Sequence, residues 1–168
     1  SACARARYGW IIGICGDHER AVAELENAIE LDPNDADSYH WLGEMLNYMG
    51  EPERGLELVN MAMRLSPHLH GAVLGHSHYL LGRYDEAVAT LNDAKARAPR
   101  FPVIYAYLAL VYTAIGREED ARAEIATLLD LVPRFTLKVW HERWPMYKIR
   151  TEIDRFDNAM RKAGLPER

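Results

Sequence analysis

Four glycines recur at a nearly constant interval along the chain, and each is followed 17 residues later by a proline. The glycines are Gly16, Gly50, Gly82 and Gly116, and the prolines are Pro33, Pro67, Pro99 and Pro133. Successive glycines lie 34, 32 and 34 residues apart. Such a period is typical of arrays of helix pairs. Because each pair buries its apolar faces against its neighbours, the pattern favours an elongated stack over a single compact core.

Other positions repeat at the same interval. A small residue lies five positions after each glycine: Ala21, Gly55, Ala87 and Ala121. Four positions further on lies a branched apolar residue: Leu25, Val59, Leu91 and Ile125. The small residues let two helices approach closely, the glycine ends the first helix, and the proline ends the second because it lacks an N–H. We therefore predict helices near residues 3–15, 18–31, 36–49, 52–65, 69–81, 84–97, 102–115 and 118–131, and no strand.

These columns resemble the tetratricopeptide repeat, whose pattern is W-x2-L-G-x2-Y followed by alanine, apolar, alanine and proline columns. Residues 82–87 read G-R-Y-D-E-A, which is close to the consensus turn of that family. The resemblance implies an all-α fold, a right-handed superhelical α-solenoid of four helix-turn-helix units. Their bounds are 2–35, 36–67, 68–101 and 102–135.

After the fourth proline the period is lost. Residues 135–143 predict a short helix, on which Trp140 is four residues from Trp144 and on the same face. A second, amphipathic helix, ended by Gly164, is predicted from apolar residues spaced three and four apart: Ile149, Ile153, Phe156, Met160 and Ala163. We expect residues 136–168 to form C-terminal capping helices on the last repeat. A partner-binding role for the two tryptophans is the alternative.

The end of the chain carries a second resemblance. Residues 135–137 (F-T-L), 143–145 (R-W-P) and above all 161–167 (R-K-A-G-L-P-E) are similar to the C-terminal end of certain bacterial multidomain proteins. Those proteins join a class III adenylate/guanylate cyclase domain, or a winged-helix DNA-binding domain, to a tetratricopeptide region. The resemblance implies a piece of a bacterial signalling protein whose nucleotide chemistry lies in a domain before Ser1. The absence of an initiator Met agrees with that expectation.

Composition and motifs exclude several functions. The formal net charge of -5 and the lack of a basic cluster argue against nucleic acid as a partner. The apolar run at residues 8–15 is far shorter than the roughly 20 residues that a membrane span requires. No P-loop, G-x-S-x-G, H-E-x-x-H or C-x-x-C motif occurs, so we predict no enzyme activity and no cofactor.

Two cysteines bear on the compartment. Cys3 and Cys15 lie on one predicted helix about 18 Å apart, which is too far for an internal disulfide. We therefore predict a reduced, cytoplasmic setting, and we expect both thiols to be small buried side chains.

Histidine is the residue type that most suggests a metal site. His68, His70, His76 and His78 fall within eleven residues. However, residues two apart on a helix point in nearly opposite directions, and no pair has the three- or four-residue spacing that metal ligands on a helix use. We predict no metal. The first helix of this repeat is two residues short, and we expect a local packing defect there.

The resemblance also implies where a partner binds. In the repeat family, fixed positions of the first helix of each pair face a concave groove. Carried onto this chain, the candidate partner-binding residues are Trp10, Ile14, Asp37, His40, Glu44, Asn47, Tyr48, His76, Tyr79, Ala106, Leu110 and Thr113. We expect Trp10 and Tyr48 to act as anchors, and Asp37 with Glu44 to pair a basic group of the ligand.

The family's chaperone-binding members hold a terminal carboxylate with Lys, Asn and Arg side chains. The matching positions here carry Ala6, Trp10, Trp41, Ala72 and His76, so that clamp is missing. The inner face of the fourth repeat is apolar and is either covered by the tail, used for self-association or filled by a hydrophobic peptide.

We therefore expect a non-catalytic protein–protein interaction scaffold that binds a peptide, a partner protein or a neighbouring domain. The alternative is a dimerising structural element, a homodimer that positions an upstream cyclase or DNA-binding domain.

Overall fold

The structure of the chain, a computed structural model, describes residues 1–67, 71–143 and 147–168. Regular secondary structure in these residues consists of ten α-helices: α1 (Ala2–Ile14), α2 (His18–Leu31), α3 (Ala36–Met49), α4 (Pro52–Leu65), α5 (Gly71–Leu80), α6 (Tyr84–Arg97), α7 (Pro102–Ala114), α8 (Glu118–Leu131), α9 (Leu137–Arg143) and α10 (Arg150–Lys162). The eight helices predicted from the repeat columns are confirmed, five of them residue for residue. His68, Leu69 and His70, predicted at the start of the fifth, lie outside the described residues.

The repeated glycines and prolines end the helices in two different ways. Gly50 closes α3 with a φ of 85°, a left-handed conformation that a side chain would strain, and its N–H bonds back to the helix. The second helix of the first pair ends instead at Asp32, whose backbone is extended (φ -147°, ψ 93°) immediately before a proline. A proline disfavours helical geometry in the residue that precedes it. The turn positions of the array are thus set locally.

Small residues set the distance between the paired helices. A Cβ added to Gly43 of α3 would lie 2.9 Å from the carbonyl oxygen of Gly55 in α4 and 2.6 Å from a methyl carbon of Val59. The two helices are therefore as close as their backbones allow, and no other residue fits there without a shift.

Successive pairs stack into a solenoid. Helices α1, α3, α5 and α7 contact one another in series, whereas α2, α4 and α6 each contact the first helix of their own pair and that of the next. The first helices therefore form a shared inner face. Helix α7 is the most buried of them, and residues 104–112 are all buried.

The last two helices fold back onto the fourth pair. The ring of Trp140 in α9 stacks on Phe156 of α10 at 4.7 Å, and the Leu137 amide donates to the carbonyl of Pro166. Helix α10 in turn packs on α7 and α8. The predicted C-terminal cap is confirmed, and Trp140 is only 3% exposed within it. Trp144 lies outside the described residues.

Two further expectations concern local packing. Cys3 in α1 and Cys15, which directly follows that helix, are both exposed, so the expectation that they are buried is wrong. At the third repeat a cleft of about 220 Å³ is lined by Gly71, Ala94 and Ile104 among others, and the packing defect expected there stays a prediction. Of the described helices, none has the length and apolar character needed to cross a membrane.

Candidate partner-binding site

The inner face does not present all the predicted residues to solvent. Six of them are buried: Asn47, Tyr48, His76, Tyr79, Ala106 and Leu110. Five are partly exposed: Trp10, Ile14, His40, Glu44 and Thr113. Asp37 is exposed. The buried residues lie where the C-terminal residues cross the inner face or pack on it, and the more exposed ones, apart from Thr113, lie elsewhere on the face.

An aromatic cluster, formed by Tyr48, His76, Tyr107 and Tyr147, fills the centre of the inner face. The imidazole of His76 stacks on the ring of Tyr107 at 4.4 Å between ring centroids. Tyr147, which follows α9, meets Tyr48 edge-on at 5.0 Å, and its hydroxyl lies 2.6 Å from Nε2 of His76. The hydroxyls of Tyr48 and Tyr107 lie 2.6 Å apart. Three helices and the tail are thereby joined by one buried group of rings.

Burial keeps every member of the aromatic cluster uncharged. Desolvation lowers the pKa of His76 to about 3, because no charged group among the described residues offsets the burial of an imidazolium. Desolvation likewise raises the pKa of Tyr48, Tyr107 and Tyr147 well above the usual range. The contact between His76 and Tyr147 is therefore a hydrogen bond between neutral groups and persists across the physiological pH range.

Residues 147–149, which we call the crossing segment, close the groove over this cluster. The Lys148 amide donates to the carbonyl of Tyr48 at 2.9 Å, and the Lys148 ammonium pairs with Glu19 of α2. The Asn47 side chain is not available to a partner either, because its amide nitrogen donates a hydrogen bond of 2.8 Å to the hydroxyl of Ser77 in α5. A partner reaches Tyr48 or His76 only if the crossing segment leaves.

The fourth repeat is covered in the same way. Ala106 and Leu110 of α7 are buried where α10 packs, and Tyr79 of α5 lies under the guanidinium of Arg155 at 5.3 Å. Of the three expectations for this apolar face, cover by the tail is the one that the structure shows.

Among the described residues, part of the inner face beside the first two pairs is open. A cleft of about 260 Å³, which we call the aromatic cleft, lies between α1 and α3 on one side and α7 and α9 on the other. The described residues that line it are almost all apolar; they are Trp10, Glu44, Phe101, Pro102, Val103, Phe135 and Trp140. Phe101 stands at the edge of the cleft with 51% of its surface exposed.

Glu44 is the polar feature of the aromatic cleft. Its two carboxylate oxygens accept hydrogen bonds from Trp10 Nε1 at 3.3 Å and from the Tyr48 hydroxyl at 3.4 Å. Burial among aromatic rings raises the pKa of Glu44 to about 7, and the two hydrogen bonds oppose that rise without cancelling it. The carboxyl group is therefore poised between its neutral and charged forms near neutral pH.

The repeat pattern placed Trp10 and Glu44 on the inner face, and the tryptophan pair of the tail offered Trp140 as an alternative partner-binding residue. No pattern placed Phe101, Phe135 and Trp140 together in one cleft, because they lie in loops and in the cap, outside the periodic positions of the first helices. For Phe101 the available signal was an aromatic residue directly before Pro102. Of the histidine cluster, His76 belongs to the aromatic cluster. Among the described residues, no group of three or more His, Cys, Asp or Glu is placed to hold a metal ion.

A stack of paired helices that share a side-chain-lined inner face defines the class of helical-repeat scaffolds. Two family models agree: one described as TPR repeat matches residues 14–49, and one described as tetratricopeptide repeat matches residues 78–136. Residues 14–49 and 78–136 therefore match tetratricopeptide repeats, which generally serve as scaffolds for protein–protein interaction. No curated protein is significantly similar to it in sequence.

Solved structures with this fold span most of the chain. A thermophilic tetratricopeptide-repeat protein of Thermus thermophilus has a TM-score of 0.76 and 20% identity over 96% of this chain and 88% of its own. YrrB, described as a TPR protein with an unusual peptide-binding site, has a TM-score of 0.61 and 16% identity. The match covers 97% of this chain and 84% of YrrB. A fragment of MamA from Desulfovibrio magneticus RS-1 has a TM-score of 0.60 and 21% identity, and the match covers 94% of both chains. At such identities the likeness shows the fold alone.

We expect Tyr147→Phe to lower the free energy of unfolding by about 1–3 kcal/mol, because it leaves Nε2 of His76 buried without its partner. Urea unfolding followed by circular dichroism measures the change. Tyr8→Phe is the matched control: its hydroxyl bonds Arg20 at the surface, and we expect a change within about 0.5 kcal/mol. Equal effects of the two substitutions would contradict the assigned role of the Tyr147 hydroxyl.

A second prediction concerns Glu44, whose pKa in the fold, about 7, lies above its ordinary value of 4.5. The protonated form therefore favours the fold, and this stabilisation is present below pH 4.5 and lost as the pH rises through 7. We expect the wild type to lose stability relative to Glu44→Gln across that window, measured by urea unfolding at a series of pH values. Glu57→Gln, at an exposed carboxylate of α4, should follow the wild type. A pH-independent difference between wild type and Glu44→Gln would refute the assignment.

Proposed function

We propose that this chain is a non-catalytic interaction scaffold that holds a peptide or a partner domain at the aromatic cleft. The observation that carries the proposal is the contrast between two parts of one face. The aromatic cluster is sealed by the chain's own crossing segment, whereas the aromatic cleft presents large apolar side chains to solvent. A concave cleft lined by large apolar side chains and open to solvent favours binding there.

The dimensions of the aromatic cleft limit the way in which a partner binds. A volume of about 260 Å³ accommodates one or two side chains and not a whole helix. Trp10 is partly exposed and Phe101 half-exposed, and rigid aromatic side chains of this kind lose little conformational entropy on binding. The partner therefore inserts an anchoring side chain, while the rest of it lies along the surrounding surface.

Several of the residues predicted from the sequence extend that surface. Asp37 and His40 precede Glu44 by seven and four residues on α3, so all three share one face of the helix. Ile14 follows Trp10 by four residues on α1 and extends the same side of the cleft along that helix. We propose these exposed and partly exposed residues as the rim of the site. Thr113, at the far end of α7, lies against α10 and is separate from it.

The cellular context is a proposal of its own. The resemblance of residues 161–167 to the ends of bacterial cyclase-linked proteins supports a place in a cytoplasmic signalling protein. In that arrangement the partner is a neighbouring domain or a second protein, and the net charge of -5 argues against nucleic acid.

A second candidate function, a dimerising element, is favoured by α1. Tyr8 and Ile11 of that helix are 41% and 50% exposed and form an apolar strip on its surface. Two copies that meet there would position upstream domains as a pair. We then expect light scattering to give twice the chain mass at high concentration and Ile11→Ser to restore the monomer. A monomer at every concentration contradicts this second function.

The binding proposal is tested by selecting peptides from a displayed random library against the immobilised chain. We expect selected peptides to shift the indole N–H resonances of Trp10 and Trp140 and to lose about tenfold or more in affinity on Phe101→Ser, a loss of at least about 1.4 kcal/mol.

The matched control is Leu31→Ser, which removes a side chain that is 62% exposed at the end of α2 and outside the cleft. Its affinity for the selected peptides should equal that of the wild type. Peptides that perturb only the outer helices, or that respond equally to both substitutions, would place the binding site elsewhere.

A further inference from the structure

We infer that the aromatic cleft recognises a basic side chain of its partner, a lysine or an arginine, whose cation lies among the rings beside Glu44. This inference rests on the proposed binding function of the cleft and adds the chemical class of the ligand. It depends on the charge, the ring geometry and the shape of the cleft.

The first step is charge. Among the described residues that line the aromatic cleft, Glu44 is the one ionisable group, and the others are aromatic, proline and valine. A carboxylate held in such surroundings is costly without a counter-charge. Each of its oxygens already accepts one hydrogen bond, from Trp10 and from Tyr48, and each retains acceptor capacity for a ligand. A cationic donor both neutralises this group and uses that capacity.

The second step is the arrangement of the rings. Trp10 leans on Trp41, with ring centroids 6.0 Å apart, and Trp140 stacks on Phe156 at 4.7 Å. Both indoles that line the cleft are therefore supported by neighbouring rings. The face of an indole attracts a cation more strongly than that of any other side chain. Trp10, which unlike Trp140 is partly exposed, and the Glu44 carboxylate border one small space and are thus complementary to a positive charge.

The third step is shape. Phe101, Pro102 and Val103 form the α7 side of the cleft and offer only apolar surface. A lysine or arginine carries three or four methylene groups before its charge, and such stems pack along apolar surface while the head reaches a polar group. A short polar ligand would leave this surface uncovered, and an acidic ligand would be repelled by Glu44.

The test uses small probes on the whole chain. n-Butylammonium and n-butylguanidinium mimic the two basic side chains, n-butanol is an uncharged analogue of similar size, and butyrate is the anion. Binding is followed through the indole N–H resonances of Trp10 and Trp140. We expect at least one cation to bind roughly tenfold more tightly than n-butanol, and butyrate to give no shift. The stronger of the two cations then identifies lysine or arginine as the preferred residue.

Glu44→Gln keeps the size of the side chain and removes its charge. We expect it to abolish the preference for cations over n-butanol, while Glu57→Gln on the outer helix α4 retains it. Circular dichroism shows whether each variant is folded, and the comparison of cations with n-butanol on the wild type requires no variant.

The outcomes separate this inference from the function on which it rests. If n-butanol binds as tightly as both cations, or if Glu44→Gln keeps the preference, the cleft is a binding site but its ligand is apolar, and the inference is wrong. If selected peptides and probes alike leave both indole resonances unchanged, the binding function of the cleft fails as well.

Discussion

The hydrogen bond between the Tyr147 hydroxyl and His76 decides which part of the inner face is covered by the chain itself. His76 is stacked on Tyr107 in the middle of the inner face, where an imidazole without a polar neighbour would be costly to bury. Tyr147 supplies that neighbour, and the residues beside it are then held across the end of α3. This contact also fixes the position of α10, because the chain continues from Tyr147 directly into that helix, which packs on α7.

The aromatic cluster and the aromatic cleft are joined by a single carboxyl group. Glu44 accepts from Tyr48, which belongs to the cluster, and from Trp10, which lines the cleft, and Tyr48 in turn meets Tyr107. Hydrogen bonds linked in this way polarise one another in a low-dielectric interior. A change of charge at Glu44 therefore alters its hydrogen bonds to both Trp10 and Tyr48. The charge in the aromatic cleft and the stability of the aromatic cluster are connected in this way.

The sequence predicted the helices far better than it predicted the site. Helix ends depend on the few residues around each Gly and Pro, and those residues are adjacent in the sequence. Trp10 and Glu44 were found because they occupy inner-face positions of the repeat. Tyr48 was expected as an exposed anchor by the same rule, but it is buried, because the rule describes a repeat array with an empty groove. Phe101, Phe135 and Trp140 could not be placed together, because they come from a loop and from the cap.

The sequence by itself determined the all-helical repeat architecture, the bounds of five of the eight paired helices, the amphipathic character of the last helix and the missing chaperone clamp. Each of these depends on local conformation or on a fixed period along the chain. Only the tertiary structure decided that the crossing segment fills the centre of the groove and that an aromatic cleft around Glu44 remains open. Those features arise from contacts between residues far apart in the chain, such as His76 and Tyr147, which are 71 positions apart, and no local pattern encodes such a contact.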